Sequence, residues 1–512
     1  MPRAVALVSA ALLSLLWCLL LWRAATQSLT HDEALTWQVY LTTPWSTIFQ
    51  YYIPNNHFLA TLLMRLSTAV FGFSELAMRL PSLGAAVLYF VTVRRLALRW
   101  YGPTPSALLA ILLLSVHPLL LDFLVAARGY GLAVACFVYG FAKLIEYAEG
   151  PTPEASLLHR AAVGLSLAVA ANLTLLFPCF LTAVLFLAAC PQWTAPQNRA
   201  RKRRKQRQRS APAASWFRTW RDSRSFELRH FVLPAAAMGL LYLLAVPVAQ
   251  TTSRGLYRVE TSLASSLENL ARISVAHNEG IGGINGEGKL LRSWARVLAW
   301  GVAPFTVALA LWLAGRSRAQ EPMSRALLWG AGATGGSLGL HGITYHSFGW
   351  PYPADRTGLY LIVLFALTLA ALIAALRQRA DAWRRAAAPY SLLAGILVAH
   401  SLLQLNWTHF HVWRYNADDK QIVQRLDEVH KRTRRRLSVG ISWQLEPVYH
   451  YYRERGGRSW LPEFDRSGPG GEFEYYVLIR NDQDLIVERG LEVLYRGPVS
   501  GTVLARRRDP GV

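Results

Sequence analysis

Charge is scarce in this chain. Only 17% of its 512 residues are charged, against 53% hydrophobic, a balance that excludes a soluble globular protein of this size. Cysteine is scarcer still. Cys18, Cys136, Cys179 and Cys190 each lie in or at the end of an apolar run, and none forms a CxxC pair. That excludes a disulfide framework and a cysteine-based zinc site. No segment repeats at a fixed period, so the internal symmetry common in secondary transporters is missing. Acidic residues are outnumbered 31 to 54, for a net charge of +23. The excess does not point to nucleic acid. The basic residues gather between apolar runs, which is the positive-inside pattern of membrane proteins, and arginine far outnumbers lysine, as genome composition alone can cause.

What is abundant is apolar sequence in runs of about 20 residues, enough to cross a bilayer as a helix. The first run, Ala4 to Trp22, contains no charge. It exceeds the roughly 7–15 apolar residues of a cleaved signal peptide, so an uncleaved anchor is expected. Arg3 places the N-terminus in the cytoplasm, and the run exits near Arg23 into a first outer loop, 24–80. That loop is polar and aromatic (Trp37, Tyr40, Trp45, Tyr51, Tyr52), as suits a headgroup layer. Thr43-Pro44 reads as an N-cap with proline at the first helical position. His57 to Phe71 is short, with Arg65 at its middle, and reads as an interfacial or re-entrant helix.

The remaining runs alternate. Pro81 to Leu98 ends in Arg94, Arg95 and Arg99; Ser106 to Leu121 returns, and Tyr130 to Tyr147 enters again. Residues 159–190 form a hairpin around Asn172 and Pro178. A basic loop, 191–230, carries Arg201-Lys202-Arg203-Arg204-Lys205 on the cytoplasmic side, solvated and against anionic lipid. Pro234–Val248, Trp294–Ala314, Ala326–Ile343, Gly358–Leu376 and Ser391–Leu405 follow. The expected fold is a polytopic α-helical membrane protein of about eleven spans over 1–405, N-terminus inside. Residues 406–512 are expected to form a small soluble α/β domain on the outer face, with helices at Asp418–Lys431 and Leu445–Arg455 and strands at Leu437–Ser442, Tyr475–Ile479 and Thr502–Ala505.

The chemistry centres on Thr30-His31-Asp32-Glu33-Ala34, just past the first span. Thr30-x-x-Glu33 fits a capping box, which would commit Glu33 to the helix start. Asp32 then has no assigned structural partner and is either a first-turn charge or a functional carboxylate. The topology brings Asn55-Asn56-His57, Asp122, Arg128-Gly129-Tyr130, His341, Tyr345-His346 and Asp355-Arg356 to the same side. Carboxylates beside arginines suit a phosphate-bearing lipid: arginine binds phosphate bidentately, and a carboxylate serves as general base.

In order along the chain, several pieces resemble one family. They are Asp32-Glu33-Ala34 after the first span; Asn56-His57 leading to Phe71-Gly72-Phe73-Ser74-Glu75 and Arg79-Leu80-Pro81-Ser82; the basic turn at 94–99; His117-Pro118 leading to Ala127-Arg128-Gly129-Tyr130; and Asp355-Arg356 before a late span. Together they resemble the GT-C membrane glycosyltransferases, in particular the glycosyltransferase-39-like group of protein O-mannosyltransferases and aminoarabinose transferases. The resemblance covers the first 150 residues well and the rest by topology. It implies an inverting transfer of a sugar from a polyprenyl-phosphate donor to a glycan, lipid or protein acceptor outside a bacterial inner membrane.

By that resemblance Asp32, with Glu33 beside it, is the catalytic carboxylate. Arg128 and Arg356 hold the departing lipid phosphate, and Asn56, His57 and Tyr130 lie near the donor. The family often has Glu-Ala-Arg where this chain has Ala126-Ala127-Arg128, so the second acid is missing; Asp122, one turn earlier, is the candidate substitute. No metal ligand set is read from the residues. A divalent cation stays an open alternative, and the lipid-linked sugar is a co-substrate. The sequons Asn172-Leu-Thr174 and Asn406-Trp-Thr408 carry little weight in a chain that reads as bacterial. A multi-span transporter or lipid flippase is the alternative function.

Overall fold

A computed structural model of the protein describes residues 2–50, 53, 55–190, 224–245, 262–278, 288–316, 322–379 and 381–508. Tyr51, Tyr52 and residues 191–223 of the basic loop, including the 201–209 run, lie outside them. Among the described residues, six helices are long and apolar enough to cross a membrane: Arg3–Thr26, Glu75–Tyr101, Gly129–Glu149, Lys289–Arg316, Asp355–Arg377 and Trp383–Leu403. Four shorter apolar helices of 10–17 residues accompany them. Leu7, Val70, Leu240, Leu244 and Leu290 stay exposed, which a bilayer tolerates and water does not. The helical part is that of a polytopic membrane protein.

The elements that build the site come first in the chain. They are α1 (Pro2–Thr26), α2 (His31–Thr36, continued by a π turn to Leu41), α3 (Thr47–Gln50), α4 (Phe58–Phe71), α5 (Glu75–Tyr101), α6 (Pro105–Ser115), α7 (Pro118–Phe123) and α8 (Gly129–Glu149). The helix expected at Thr43-Pro44 starts at Thr47 instead. Its first turn closes onto the Pro44 carbonyl, which accepts from the Thr47 N–H at 3.0 Å. The run Ser106 to Leu121, expected to be one span, is two helices. Pro118 has no N–H to donate and pushes His117 out of the helical region, to φ −63°, ψ 124°.

Pro81 sits inside α5 without breaking it. The missing proline N–H would have served the Ala77 carbonyl, four residues back. Ser67 of the neighbouring α4 fills that role, its hydroxyl donating to the Ala77 carbonyl at 2.6 Å. One side chain therefore both satisfies α5 and ties it to α4.

The two ends of the helical layer differ. At one end Arg99 pairs with Glu149 and Arg377 contacts Ser106. At the other lie Arg79, Arg128 and Arg356, with the acidic stretch.

After 406 the chain forms helices Asp419–Thr433 and Glu446–Arg455 and a four-stranded sheet. The strands are β1 (Val439–Ile441), β2 (Tyr475–Leu478), β3 (Glu492–Arg496) and β4 (Val503–Arg506), in the order β1-β2-β4-β3. β1 runs parallel to β2, and the other pairings are antiparallel. β3, not foreseen in the sequence, is a half-exposed edge strand with a register irregularity at Val493/Tyr495. The apolar core runs without a break from the long helices into this segment, through Phe410, Trp413, Ile422, Leu445 and Tyr451. The Ser67→Ala variant is expected to lower apparent stability in detergent by about 1 kcal/mol, the cost of an unpaired buried carbonyl, read as a lower thermal midpoint. An unchanged midpoint would show that Ala77 finds another donor.

Candidate active site

The acidic stretch folds as its local sequence requires. Thr30 caps α2: its hydroxyl accepts from the Glu33 N–H at 3.3 Å, and Glu33 accepts from the Thr30 N–H at 2.9 Å. Glu33 also receives both arms of the Arg79 guanidinium, at 2.9 and 2.7 Å, and the Ala127 N–H at 2.6 Å. Both side chains are 0% exposed. Burial by itself would raise the Glu33 carboxyl, but the Arg79 charge and these hydrogen bonds hold it below the usual range. Arg79 then caps three carbonyls at the end of α1, donating to Ala24, Gln27 and Ser28 at 2.8–3.1 Å. Glu33 is thus engaged on every side in holding α1, α2, α5 and the 127 turn together.

Asp32 faces the other way. One oxygen lies 3.5 Å from Arg128 and 3.4 Å from Arg356, and its side chain is 11% exposed. Burial would raise this carboxyl; Arg356, Arg128, His31 and a hydrogen bond from Trp413 outweigh it and lower it. Arg128 is buried and anchored on Thr36 and the Asn55 carbonyl, both at 3.2 Å. Arg356 is more open, at 30%. It lies over the Trp413 ring. Asp355, just before it, adopts φ 46°, a left-handed turn uncommon outside glycine, with its N–H held by Asn269 at 2.7 Å.

His57 and Asn56 border the same region. The His57 ring meets Tyr130 edge-on at 4.9 Å. Among the described residues, four buried polar atoms of this stretch lack a hydrogen-bond partner: Asp32 Oδ2, Asn56 Oδ1, His57 Nε2 and Arg128 Nε. Each such atom costs about 1–3 kcal/mol unless a polar group meets it.

Asp122 does not join them. It pairs with Arg23 at 2.7 Å and His277 at 3.1 Å and accepts from the His411 N–H at 2.9 Å. The acceptor capacity that would let it stand in for the second acid is already used, by groups on α1 and far along the chain. His341 bonds Tyr360. Sequence reasoning did not find Trp413, nor Asn416 and Gln444, which hold His31 by its N–H at 3.0 Å and its Nδ1 at 2.6 Å. Both sequon asparagines are buried and donate inward, Asn172 to His57 and Asn406 to the His409 carbonyl.

The chain is similar to several solved structures, three of them as follows. They are ArnT from Cupriavidus metallidurans in the apo state (11% identity, 98% of each chain, TM-score 0.49), the same protein bound to undecaprenyl phosphate (12%, 100% and 99%, 0.44), and the archaeal oligosaccharyltransferase AglB from Archaeoglobus fulgidus with an inhibitory peptide and a dolichol-phosphate (12%, 98% and 74%, 0.38). Each is similar to this chain at an identity and score too low to carry function across. No family model and no curated protein matches the sequence.

The chemistry therefore rests on the residues. Two guanidiniums flank one carboxylate, and one of them is partly open. Such surroundings suit an anion. They do not fit a divalent cation, which would face Arg128 and Arg356 at its nearest carboxylate. Among the described residues no three His, Cys, Asp or Glu side chains group to hold a metal ion. Removing Arg79 would strand the buried Glu33 charge, a loss of about 3–5 kcal/mol. Arg79→Ala is expected to fail to accumulate as folded protein, or to show a sharply lower thermal midpoint. Wild-type stability in that variant would remove the pair as the organising contact.

Proposed function

We propose that this protein is an inverting glycosyltransferase that moves a sugar from a polyprenyl-phosphate donor to an acceptor on the outer side of the membrane. The observation that carries this reading is Asp32, held as a carboxylate between Arg128 and Arg356 at the edge of the helical layer. In this reading the acceptor nucleophile attacks the anomeric carbon from the Asp32 side. A bond forms from nucleophile to carbon, and the bond from carbon to phosphate oxygen breaks on the opposite face. The electron pair leaves with the phosphate, and the acceptor proton passes to Asp32. Arg356, the more open guanidinium, meets the charge that grows on the departing phosphate, and Arg128 supports it from the buried side. Asn56, His57 and Tyr130 border the donor.

The topology follows from the same reading. About eleven spans over 1–405 place the N-terminus in the cytoplasm, the Arg94–Arg99 end inside and the acid site outside a bacterial inner membrane. Residues 406–512 lie outside and roof the site. A transporter would place its charged groups near the bilayer midplane, whereas here Asp32 lies just past the end of α1 and Arg356 just before a late helix.

Asp32→Asn is expected to lower turnover of a labelled lipid-linked sugar by about 10²–10⁴-fold, the usual worth of a general base, with protein abundance unchanged. Undiminished turnover would remove Asp32 from that role. The pH profile gives a second check. The base is the ionised form, present above its pKa, and the Asp32 carboxyl is held low. The acid limb of kcat/KM should therefore lie below the ordinary aspartate value, leaving activity flat from about pH 7 to about pH 5. A limb near pH 6.5 would instead implicate a histidine.

A further inference from the structure

Asn172 lies in a motif that the function above does not use. It ends the helix Ala155–Ala171, in the hairpin far along the chain from the acid site, and its side chain caps the turn that follows. The Asn172 Oδ1 accepts from the Thr174 N–H at 3.0 Å. A backbone N–H can only donate, so the amide cannot be turned round, and its Nδ2 must face the other way. There it meets His57 Nδ1 at 3.2 Å. An amide NH₂ has no lone pair to offer, so His57 Nδ1 is the acceptor and the ring proton sits on Nε2. That Nε2–H is buried and has no acceptor among the described residues.

The pocket around the ring is built to hold it so. Tyr130 lies edge-on at 4.9 Å. Gly129 closes the remaining side: a Cβ there would come within 2.6 Å of His57 Cβ and 2.1 Å of the Ala171 carbonyl oxygen, so only glycine allows this approach. The charged groups that act on the ring are Arg128 and Arg356. Both are cations and, with burial, they keep the imidazole neutral.

We propose that Asn172 is a positioning residue, which locks His57 in its Nε2–H form so that His57 presents a neutral N–H donor to an oxygen of the sugar donor. The identity of that oxygen rests on the glycosyltransferase reading; the lock itself does not. The oxygen belongs either to the phosphate or to a sugar hydroxyl, both of which accept. A neutral donor beside two fixed cations adds a directed hydrogen bond without adding a third charge that the site would have to desolvate.

The test is Asn172→Asp in the full-length protein in nanodiscs. A carboxylate only accepts. It keeps the Thr174 N–H and draws the ring proton to Nδ1, which leaves a lone pair at Nε2 where the ligand oxygen must sit. Three readouts are expected. In ¹⁵N-histidine spectra, assigned by difference with His57→Gln, wild type shows the Nε2–H form and Asn172→Asp the Nδ1–H form. Turnover falls about tenfold or more in Asn172→Asp and recovers partly as pH is lowered, because protonation of His57 restores an Nε2–H; a packing defect would not recover. His57→Gln, which retains an amide donor, stays more active than His57→Leu.

Binding of undecaprenyl phosphate separates the two oxygens. Weakening in Asn172→Asp assigns the contact to the phosphate, and unchanged binding with reduced turnover assigns it to the sugar; either outcome supports the proposal. An Nδ1–H signal for wild-type His57, or unchanged turnover and binding in Asn172→Asp, would overturn it. If no variant, wild type included, bound the lipid phosphate or turned over a lipid-linked sugar, the glycosyltransferase reading would fall. The ¹⁵N pattern would still decide the lock.

Discussion

The buried pair of Arg79 and Glu33 is the contact on which the rest depends. Two opposite charges with no exposure are costly to take out of water, and they persist only because every remaining donor and acceptor is met. Here the guanidinium spends its remaining N–H groups on three carbonyls at the end of α1, and the carboxylate spends its remaining lone pairs on the backbone of Thr30 and Ala127. The pair is thereby a junction of four chain segments. The neighbouring carboxylate inherits its position from this junction. With Glu33 pulled inward, α2 turns Asp32 about 100° away from it, toward Arg128 and Arg356.

The two carboxylates therefore divide the labour by environment. Glu33 is enclosed by tight, directed bonds of 2.6–2.9 Å. Asp32 has two cations at 3.4–3.5 Å, close enough to keep it ionised and too far to occupy it. A third carboxylate, Asp122, shows what full occupation looks like away from the site, with an arginine, a histidine and a backbone N–H around it.

What could be read from the sequence follows the range of the interactions. The capping box at Thr30 and Glu33 spans three residues and was legible, as were the apolar helices and most of the C-terminal elements. Pro118 announced a break that a count of apolar residues passed over. The Asp122–Arg23 pair joins positions 99 apart, and nothing local marks either partner. Trp413 and Gln444 reach the acid stretch from some 400 residues away, so no spacing rule finds them. β3 escaped because an edge strand with one exposed face carries little apolar signal. Asn172 was visible as a sequon, yet its use depends on an amide orientation that only the Thr174 N–H decides.

The way His31 is held has a consequence for the making of the protein. The acid stretch is made early, while Asn416, Gln444 and Tyr452, which grip it at His31 and Leu29, follow far later in the chain. Until they are made, the partners of Glu33 on α5 and at the 127 turn are present, but those of His31 and Leu29 are not. A chain cut before residue 406 would keep the Glu33–Arg79 contact and lack Trp413, Asn416 and Gln444 around the acid stretch. The segment after residue 406 thus comes late to the site: the carboxylate meets Trp413, and its neighbour His31 meets Asn416 and Gln444, only once that segment has been made.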